Sequence, residues 1–281
     1  MSALTVISEH ACFDGVQGYY SHPSAPIGLP MRFAVYQPPQ ARRGPVPVLY
    51  YLAGLTCTEE TFVIKAGAQR LASELGLMLV APDTSPRGAG VPGEDADWDL
   101  GTGAGFYVDA TREPWAKHYR MYSYVTEELP QVIGASFPAQ MDRQGIFGHS
   151  MGGHGALVCA LRNPGRYRSL SAFAPIVAPA QVPWGVKAFS AYLGEPRDAW
   201  REWDASELVR QRPFDGTILI DQGLGDKFLS EQLQPERFEE AAKASGQRLT
   251  LRRHPRYDHG YFFIATFMDD HLRHHASALC K

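Results

Sequence analysis

The chain has 281 residues, of which 44% are hydrophobic, and its 27 basic and 30 acidic residues give a net charge of −3. This length and composition predict one domain over residues 1–281 with a sizeable buried core. The near-neutral charge excludes a strongly basic nucleic-acid surface, and no apolar run reaches the roughly 18 residues of a membrane helix, so we expect neither nucleic-acid nor membrane partners.

The N-terminus and the cysteine pattern indicate a cytoplasmic protein. The first ten residues lack the basic segment and long apolar run of a secretory signal. The four cysteines, Cys12, Cys57, Cys159 and Cys280, are scattered without C-x-x-C spacing. That pattern argues against a disulfide framework or a zinc site and is typical of a reducing compartment.

Two N-terminal segments precede a regular alternation of strands and helices. Residues 5–12 and 31–37 alternate apolar and polar side chains and predict antiparallel edge strands. Farther along, we predict buried strands at 47–52, 77–81, 143–147, 169–173, 217–221 and 248–252, and helices at 66–75, 121–132, 153–162, 234–244 and 261–274. Strands that are apolar on both faces and separated by helices predict an α/β fold, with a mostly parallel central sheet and helices on both faces.

Local signals refine these elements. Gly76 is a natural stop for the helix at 66–75, and Pro130 should kink or end the helix at 121–132. Residues 83–117 and 174–203 look irregular, and loops of that length in a compact domain usually serve function.

The pentapeptide Gly148-His149-Ser150-Met151-Gly152 is a G-x-S-x-G pattern between a predicted strand and a predicted helix. This context is that of a nucleophile elbow, a tight turn that projects the serine hydroxyl at the tip of a sheet. Glycines two residues before and after Ser150 leave room for the chain to double back. We therefore predict that Ser150 is a catalytic nucleophile.

A serine nucleophile needs an acid that follows it in the chain and orients the base. Asp221 and Asp226 both follow the predicted strand at 217–220. Asp221 adjoins the apolar run, so its side chain can point to a sheet face instead of the site. Asp226 lies in a glycine-containing turn that can swing it toward the strand tips, and it is the favoured candidate; either aspartate also fits a turn or capping role.

The base should follow the last predicted strand, where His254 and His259 compete. His259 is favoured, because it lies in a loop at the start of the final helix that can reach Ser150. The histidines on either side of the nucleophile are expected to pack around the elbow. A solvated helix face, with no metal site, is expected for His271, His274 and His275.

A tetrahedral intermediate requires two amide donors to its oxyanion. The residue after the nucleophile, Met151, should supply one. The loop after the strand at 47–52 should supply the other, and Leu55 is the candidate because Gly54 allows the turn. The same loop is also compatible with a helix entrance capped by Thr56 or Thr58.

Six segments of the chain resemble the esterase D family of S-formylglutathione hydrolases. They are AGLTCT at 53–58, PDTSPRG at 82–88, GTGAGFYVDAT at 101–111, GHSMGGHGA at 148–156, PWGVKAF at 183–189 and DHGYFF at 258–263. The similarity covers about residues 5 to 276, and these segments are far more specific than the pentapeptide alone.

The resemblance implies an α/β-hydrolase fold and a serine hydrolase that cleaves S-formylglutathione to formate and glutathione in formaldehyde detoxification. Family members are commonly homodimers. The family's catalytic triad falls on Ser150, Asp226 and His259, and its oxyanion hole falls on Leu55 and Met151. Cys57 matches a cysteine near the active site that is not the nucleophile, and the substrate cleft is implied at Trp98, Trp184 and Lys187.

The chain departs from the family pattern beside the acyl site. Ala178 and Val182 stand in a region where the family commonly has an asparagine and a cysteine, which bears on acyl preference.

The expected chemistry is acyl transfer through a formyl-enzyme intermediate, with no metal or organic cofactor. Lys187 and Arg87 are candidates for holding the charges of glutathione, although each also fits an ordinary surface charge. The alternatives are a general cytoplasmic carboxylesterase with short-acyl preference, a related sugar or feruloyl esterase, and an inactive hydrolase used as a binding module.

Overall fold

A nine-stranded sheet organises the computed structural model, which describes residues 4–280. The strands are β1 (Thr5–Cys12), β2 (Gly15–Pro23), β3 (Pro30–Gln37), β4 (Val46–Leu52), β5 (Met78–Pro82), β6 (Ala139–His149), β7 (Ser169–Phe173), β8 (Ile218–Gly223) and β9 (Leu249–His254). Their spatial order is β1-β2-β3-β5-β4-β6-β7-β8-β9. The first three strands are antiparallel, β3 joins β5 antiparallel, and β4 to β9 are mutually parallel.

Helices connect the parallel strands. They are α1 (Glu59–Lys65), α2 (Gln69–Leu75), α3 (Met121–Ser123), α4 (Leu129–Ser136), α5 (Met151–Arg162), α6 (Pro183–Tyr192), α7 (Ala205–Gln211), α8 (Pro235–Ser245) and α9 (Tyr261–Leu279). Short 3₁₀ segments lie at Pro39–Arg42, Pro179–Gln181 and Arg197–Trp203, and π-helical segments at Tyr124–Glu128 and Leu229–Leu233. In residues 4–280, no helix combines the length and apolar character needed to cross a membrane.

The central strands are covered on both faces. Every residue of β4, β5, β7 and β8 is buried. In β7, Ser169 and Ser171 bond to side chains of α9, so Leu170 and Ala172 must point to the other face, and they are buried too. The predicted α/β fold with a mostly parallel sheet is therefore confirmed.

The N-terminal edge contains a strand that sequence reasoning did not predict. The segments at 5–12 and 31–37 form antiparallel strands as predicted, but only 5–12 is an edge strand, since 31–37 also pairs with β5. The strand that was not predicted, β2, pairs with both segments. The glycines of β2 interrupt the alternation of apolar and polar side chains from which a strand would be predicted. A Cβ at Gly18 would lie 2.1 Å from the Tyr20 hydroxyl oxygen, so neighbouring tyrosines occupy the space that side chains would fill.

One helix prediction and one loop prediction were partly wrong. The helix at 121–132 continues to Ser136 through Pro130, because a π-helical turn precedes α4 and Pro130 falls in that helix's first turn, where its missing N–H matters least. The segment at 174–203 was predicted to be irregular but contains α6, which begins at Pro183 and buries Trp184 and Phe189.

The chain around the predicted helix at 66–75 forms two helices, and only the second, at 69–75, lies within the predicted range. The first, α1, begins after Thr58, whose side chain forms a capping box with Thr61. The second, α2, ends at Gly76 with φ of 72°, the predicted stop.

A buried polar network ties the last two strands to α9. Asp221 on β8 accepts hydrogen bonds from the Arg252 guanidinium at 2.5 and 2.6 Å, and lies 3.2 Å from His271 Nε2. The chain continues from His271 Nδ1 to Ser171 Oγ at 2.8 Å and on to His275 Nε2 at 2.8 Å. The predicted solvated face was therefore wrong for these histidines, since burial in the sheet-facing side of α9 requires polar partners and β7 supplies them.

The network fixes the charge state of Asp221. Burial alone would raise the pKa of this carboxyl, but hydrogen bonds from Arg252 and His271 outweigh it and hold the pKa well below its usual range. Burial lowers the pKa of His271 and His275, which favours their neutral forms.

We expect Arg252→Gln to lower the free energy of unfolding at pH 7 by about 2 kcal/mol, because it leaves a buried carboxylate without its main partner while Arg252 itself is partly exposed. A depressed folded-state pKa gives stability that is present above the unfolded value of about 3.9 and is lost as the pH falls below it. The decrease in the free energy of unfolding caused by Arg252→Gln should therefore be smaller at acidic pH.

Urea unfolding at pH 7 and at the lowest pH where the wild type stays folded measures both effects. Arg253→Gln is the matched control, since its exposed pair with Glu239 adds little. Equal losses in the two variants would contradict the assignment.

Candidate active site

Ser150 occupies the strained turn between β6 and α5. Its backbone has φ of 57° and ψ of −119°, a conformation that is uncommon for any residue except glycine. Three backbone hydrogen bonds hold it there. The Ser150 amide donates to Phe173 at 3.0 Å, and its carbonyl accepts from His154 at 3.0 Å and Ile176 at 3.2 Å. The strained residue is thus fixed by β7 and by the helix that follows it.

The two glycines of the pentapeptide are required by close packing. A Cβ at Gly148 would lie 2.2 Å from the Gly152 carbonyl oxygen, and one at Gly152 would lie 2.0 Å from the Leu52 carbonyl oxygen. Any side chain at these positions would displace backbone atoms of the elbow or of β4. The turn predicted from the sequence is therefore present, with the glycines where the chain passes closest to itself.

Asp226 and His259 meet beside the elbow. His259 Nδ1 lies 2.5 Å from Asp226 Oδ2, and Asp226 Oδ1 accepts from the Phe228 amide at 2.8 Å. The Asp226 side chain is buried and the His259 side chain is 17% exposed. The two loops are also joined by their backbones, since the Gly225 amide donates to the Tyr257 carbonyl at 2.8 Å.

The competing candidates lie in a different place. Asp221 points into the network with Arg252 and His271, and His254 Nε2 lies 3.2 Å from Asp221 Oδ1. The structure therefore brings the two favoured residues together and places the two alternatives on the face of the sheet covered by α9.

A cavity of about 200 Å³ opens onto Ser150 and His259. Its other lining residues are Gly54, Leu55, Thr56, Cys57, Trp98, His149, Trp184, Phe228 and Tyr261. Ser150 and His259 share this cavity, but no hydrogen bond joins their side chains in the described part of the chain. Such bonds are often long without substrate and tighten when it binds.

One of the two candidate oxyanion donors lines this cavity. Leu55 lines it, and Met151 is the first residue of α5 directly after Ser150. The neighbouring amides of the Leu55 loop are used internally: Thr56 donates to Gly103 at 2.9 Å and Cys57 to Gly54 at 3.3 Å. The Leu55 amide has no acceptor among residues 4–280, which leaves it available to a ligand.

Cys57 contributes a half-buried thiol to the cavity wall. Burial raises the pKa of this thiol, against weaker opposing effects from Thr61 and Lys65. A thiol whose pKa is raised stays protonated at neutral pH and is a poor nucleophile. Among the described residues, no group of three or more His, Cys, Asp or Glu side chains is arranged to hold a metal ion.

The two predicted cleft tryptophans face each other at the cavity. Trp98 is 55% exposed and meets the buried Trp184 edge to face, with ring centroids 5.5 Å apart. Trp184 also packs against Phe228, whose ring lies edge-on to His259 at 5.1 Å. An aromatic wall therefore runs from the outer rim to the imidazole.

The two predicted cationic residues are engaged elsewhere. Lys187 Nζ lies 2.5 Å from Asp99 and 2.9 Å from Asp97, and it does not line the cavity. Arg87 pairs with Asp83 and donates to the Cys57 carbonyl. Their roles toward a substrate stay predictions, and the structure gives each a partner within the protein.

Sequence reasoning did not assign the cavity positions of Phe228 and Tyr261, and it placed His149 only as a packing residue. The His149 ring lies 4.4 Å from the His259 ring, and its position inside the pentapeptide was the available signal. Phe228 and Tyr261 each follow a favoured candidate, Asp226 or His259, by two residues. Residues close in sequence to a predicted site residue on a short loop therefore tend to line the same cavity.

The sequence and the fold are similar to those of known esterases. Residues 24–274 match the family model Esterase, described as "Putative esterase". The S-formylglutathione hydrolase of Mus musculus is 56% identical over 281 residues, covering 99% of each chain, and that of Rattus norvegicus is 55% identical over 280 residues, covering 98% of this chain and 99% of its own. The structure of an S-formylglutathione hydrolase from Agrobacterium tumefaciens superposes with a TM-score of 0.96 at 56% identity, covering 98% of this chain and 99% of that one.

The sheet order, the strained elbow and these likenesses define a hydrolase with the α/β-hydrolase fold. Within that class, the chain belongs to the esterase family and, more narrowly, to the S-formylglutathione hydrolases.

We expect Gly152→Ala to lower the free energy of unfolding by about 3 kcal/mol, because the added methyl overlaps the Leu52 carbonyl. Activity should fall with it, since the elbow must shift. Gly44→Ala is the control: a Cβ there meets nothing within 4 Å, and its stability should stay within about 0.5 kcal/mol of the wild type. Urea unfolding of both variants measures the difference, and equal stabilities would show that the elbow tolerates a side chain.

Proposed function

We propose that this protein hydrolyses S-formylglutathione to formate and glutathione, with Ser150 as nucleophile, His259 as general base and Asp226 as the acid that orients it. The observation that supports this most directly is the 2.5 Å contact between His259 and Asp226 at the cavity that also holds Ser150. The full-length similarity to S-formylglutathione hydrolases supports the substrate.

The geometry suggests how the first half of the reaction proceeds. His259 Nε2 takes the proton of Ser150 as the hydroxyl oxygen attacks the thioester carbonyl carbon. Asp226 accepts from His259 Nδ1, which fixes the tautomer and stabilises the imidazolium. The amides of Leu55 and Met151 hold the developing oxyanion, and each such donor lowers the barrier by about 3 kcal/mol.

The second half releases the acid. Collapse of the tetrahedral intermediate breaks the carbon–sulfur bond, and His259 protonates glutathione as it leaves. The formyl-enzyme ester on Ser150 is then attacked by water, which gives its proton to His259. The ester bond breaks, formate leaves and Ser150 recovers its proton.

The cavity suits a small acyl group. Its volume of about 200 Å³ is bounded by Trp98, Trp184 and Phe228. Ala178 and Val182, where the chain departs from the family pattern, are buried and do not line this cavity. We infer that any effect of these two positions on acyl preference acts through the packing behind the wall.

A general carboxylesterase with short-acyl preference is the second candidate. It is favoured by the lining of the cavity, which includes no Lys, Arg, Asp or Glu and so accommodates neutral esters. The two candidates differ in what binds outside the cavity, where glutathione would place its charges.

We also propose a role in formaldehyde detoxification, a cytoplasmic location, a homodimeric assembly and one domain over residues 1–281. These rest on the family resemblance, on the scattered free cysteines and on the continuous sheet from β1 to β9.

We expect kcat/KM for S-formylglutathione to exceed that for a plain acetyl ester by orders of magnitude. Ser150→Ala should lower kcat by about 10⁶-fold and abolish labelling by a fluorophosphonate probe. Steady-state kinetics with both substrates measure the preference. Comparable values for the two substrates would favour the general esterase, and an unlabelled wild type would favour an inactive binding module.

We expect Asp226→Asn to lower kcat by about 10⁴-fold, because an amide in place of the carboxylate favours the wrong tautomer of His259. Asp258→Asn is a control in the neighbouring loop that carries His259, since that carboxylate accepts only from the Gly260 amide within the described chain, and its loss should be far smaller. Circular dichroism would check that both variants fold. Similar losses in the two would remove Asp226 from its assigned role.

A further inference from the structure

We propose that Lys65 and Lys227 select glutathione thioesters by pairing with the carboxylates of the tripeptide at the rim of the cavity. This inference rests on the proposed function, since it concerns the glutathione part of the same substrate. It assigns the charged contacts that the cavity itself lacks.

The need for charged groups at the rim follows from the substrate and the cavity. Glutathione has two carboxylates and one ammonium, and all three lie several bonds from the sulfur of its thioester. The residues that line the cavity include none of the four charged types. The cavity volume of about 200 Å³ leaves the outer parts of the tripeptide outside it. Recognition of its charges must therefore come from side chains around the opening.

The two cations predicted from the sequence are already neutralised. Lys187 contacts both Asp97 and Asp99, so this group has one negative charge in excess. Arg87 makes a close pair with Asp83. A carboxylate that approached either cation would meet the carboxylates already bound to it.

Lys65 stands at one aromatic side of the opening. It is exposed at the end of α1, and its ammonium lies 5.8 Å from the centroid of the Tyr261 ring. Tyr261 lines the cavity next to Cys57. Burial raises the pKa of the Cys57 thiol, and the nearby Thr61 and Lys65 oppose that effect.

Lys227 stands beside a second lining ring. Its ammonium lies 4.8 Å from the centroid of Phe228, the residue whose ring meets His259. It is exposed and lies directly after Asp226 in the chain. Neither Lys65 nor Lys227 forms an ion pair with any of residues 4–280, so both ammonium groups are available to a ligand.

The pattern of charges matches the tripeptide. Two free cations lie against lining aromatic residues, and the group formed by Lys187 with Asp97 and Asp99 places its excess negative charge beside Trp98. Two carboxylates and one ammonium are the complement of that arrangement. Electrostatic complementarity of this kind gives specificity more than raw affinity.

The test compares two formyl thioesters, S-formylglutathione and a neutral thioester that lacks both outer residues. We expect Lys65→Gln and Lys227→Gln each to lower the ratio of their kcat/KM values by about threefold, and the double variant to lower it by about tenfold. The change should fall mainly on KM for S-formylglutathione. Lys243→Gln is the control, since this lysine lies on α8 away from the cavity and should leave the ratio unchanged.

A second substrate shows whether the two lysines act by contacting the carboxylates of glutathione or by changing the shape of the site. In S-formylglutathione with both carboxylates converted to carboxamides, the wild type should lose the same preference, and the lysine variants should cause no further loss. An unchanged ratio in the double variant, or an equal loss with the diamide substrate, would overturn the inference.

Failure of the inference and failure of the proposed function give different results. If the wild type prefers S-formylglutathione and the double variant prefers it equally, the two lysines do not select the substrate, and the proposed function stays intact. A wild type with no preference for S-formylglutathione over the neutral thioester removes the inference alone, whereas one with no preference for it over the plain acetyl ester removes the proposed function.

Discussion

The turn at Ser150 is the constraint on which the rest of the structure depends. A residue with φ of 57° is stable only where its surroundings outweigh the strain, and here β7, the exit of β7 and α5 each supply a backbone hydrogen bond. The same turn requires Gly152 to lie against β4 with no room for a methyl group. The central strands, the first helix after the elbow and the proposed nucleophile are thus positioned together.

The two aspartates of the β8 region have different roles: one stabilises the fold, and the other belongs to the proposed reaction. Asp221 holds β9 and α9 to the sheet through Arg252 and His271, while Asp226 lies five residues later, beyond the end of the strand. Because the loop that carries His259 runs from β9 to α9, the Asp221 network fixes both ends of that loop. The contact between Asp226 and His259 therefore depends on an ion pair on another face of the sheet.

Much of this arrangement could be predicted from residue order and pattern. The parallel strands are continuous apolar runs, and the elbow has glycines whose spacing is specific in context, so the sheet and the position of Ser150 followed from the sequence. The choice of Asp226 over Asp221 rested on a turn that could reach the strand tips, and the structure places it there. The histidines of α9 were misjudged because a run of polar residues on a helix gives no sign that serines of a neighbouring strand will pair with them. The pairing of Lys187 with Asp97 and Asp99 could not be predicted either, because these partners lie about ninety residues away in sequence, on an irregular loop.

The buried ring of His149 has a consequence for how the site responds to acidity. Burial, reinforced by the charge of the neighbouring His259, lowers the pKa of His149 well below its usual range. A second protonated imidazole 4.4 Å away would repel the cation that forms on His259 during acyl transfer. Since burial favours the neutral form of His149, this side chain acts as an uncharged aromatic wall. A rate profile measured around neutral pH then contains no ionisation of this residue, although it is a histidine adjacent to the proposed nucleophile.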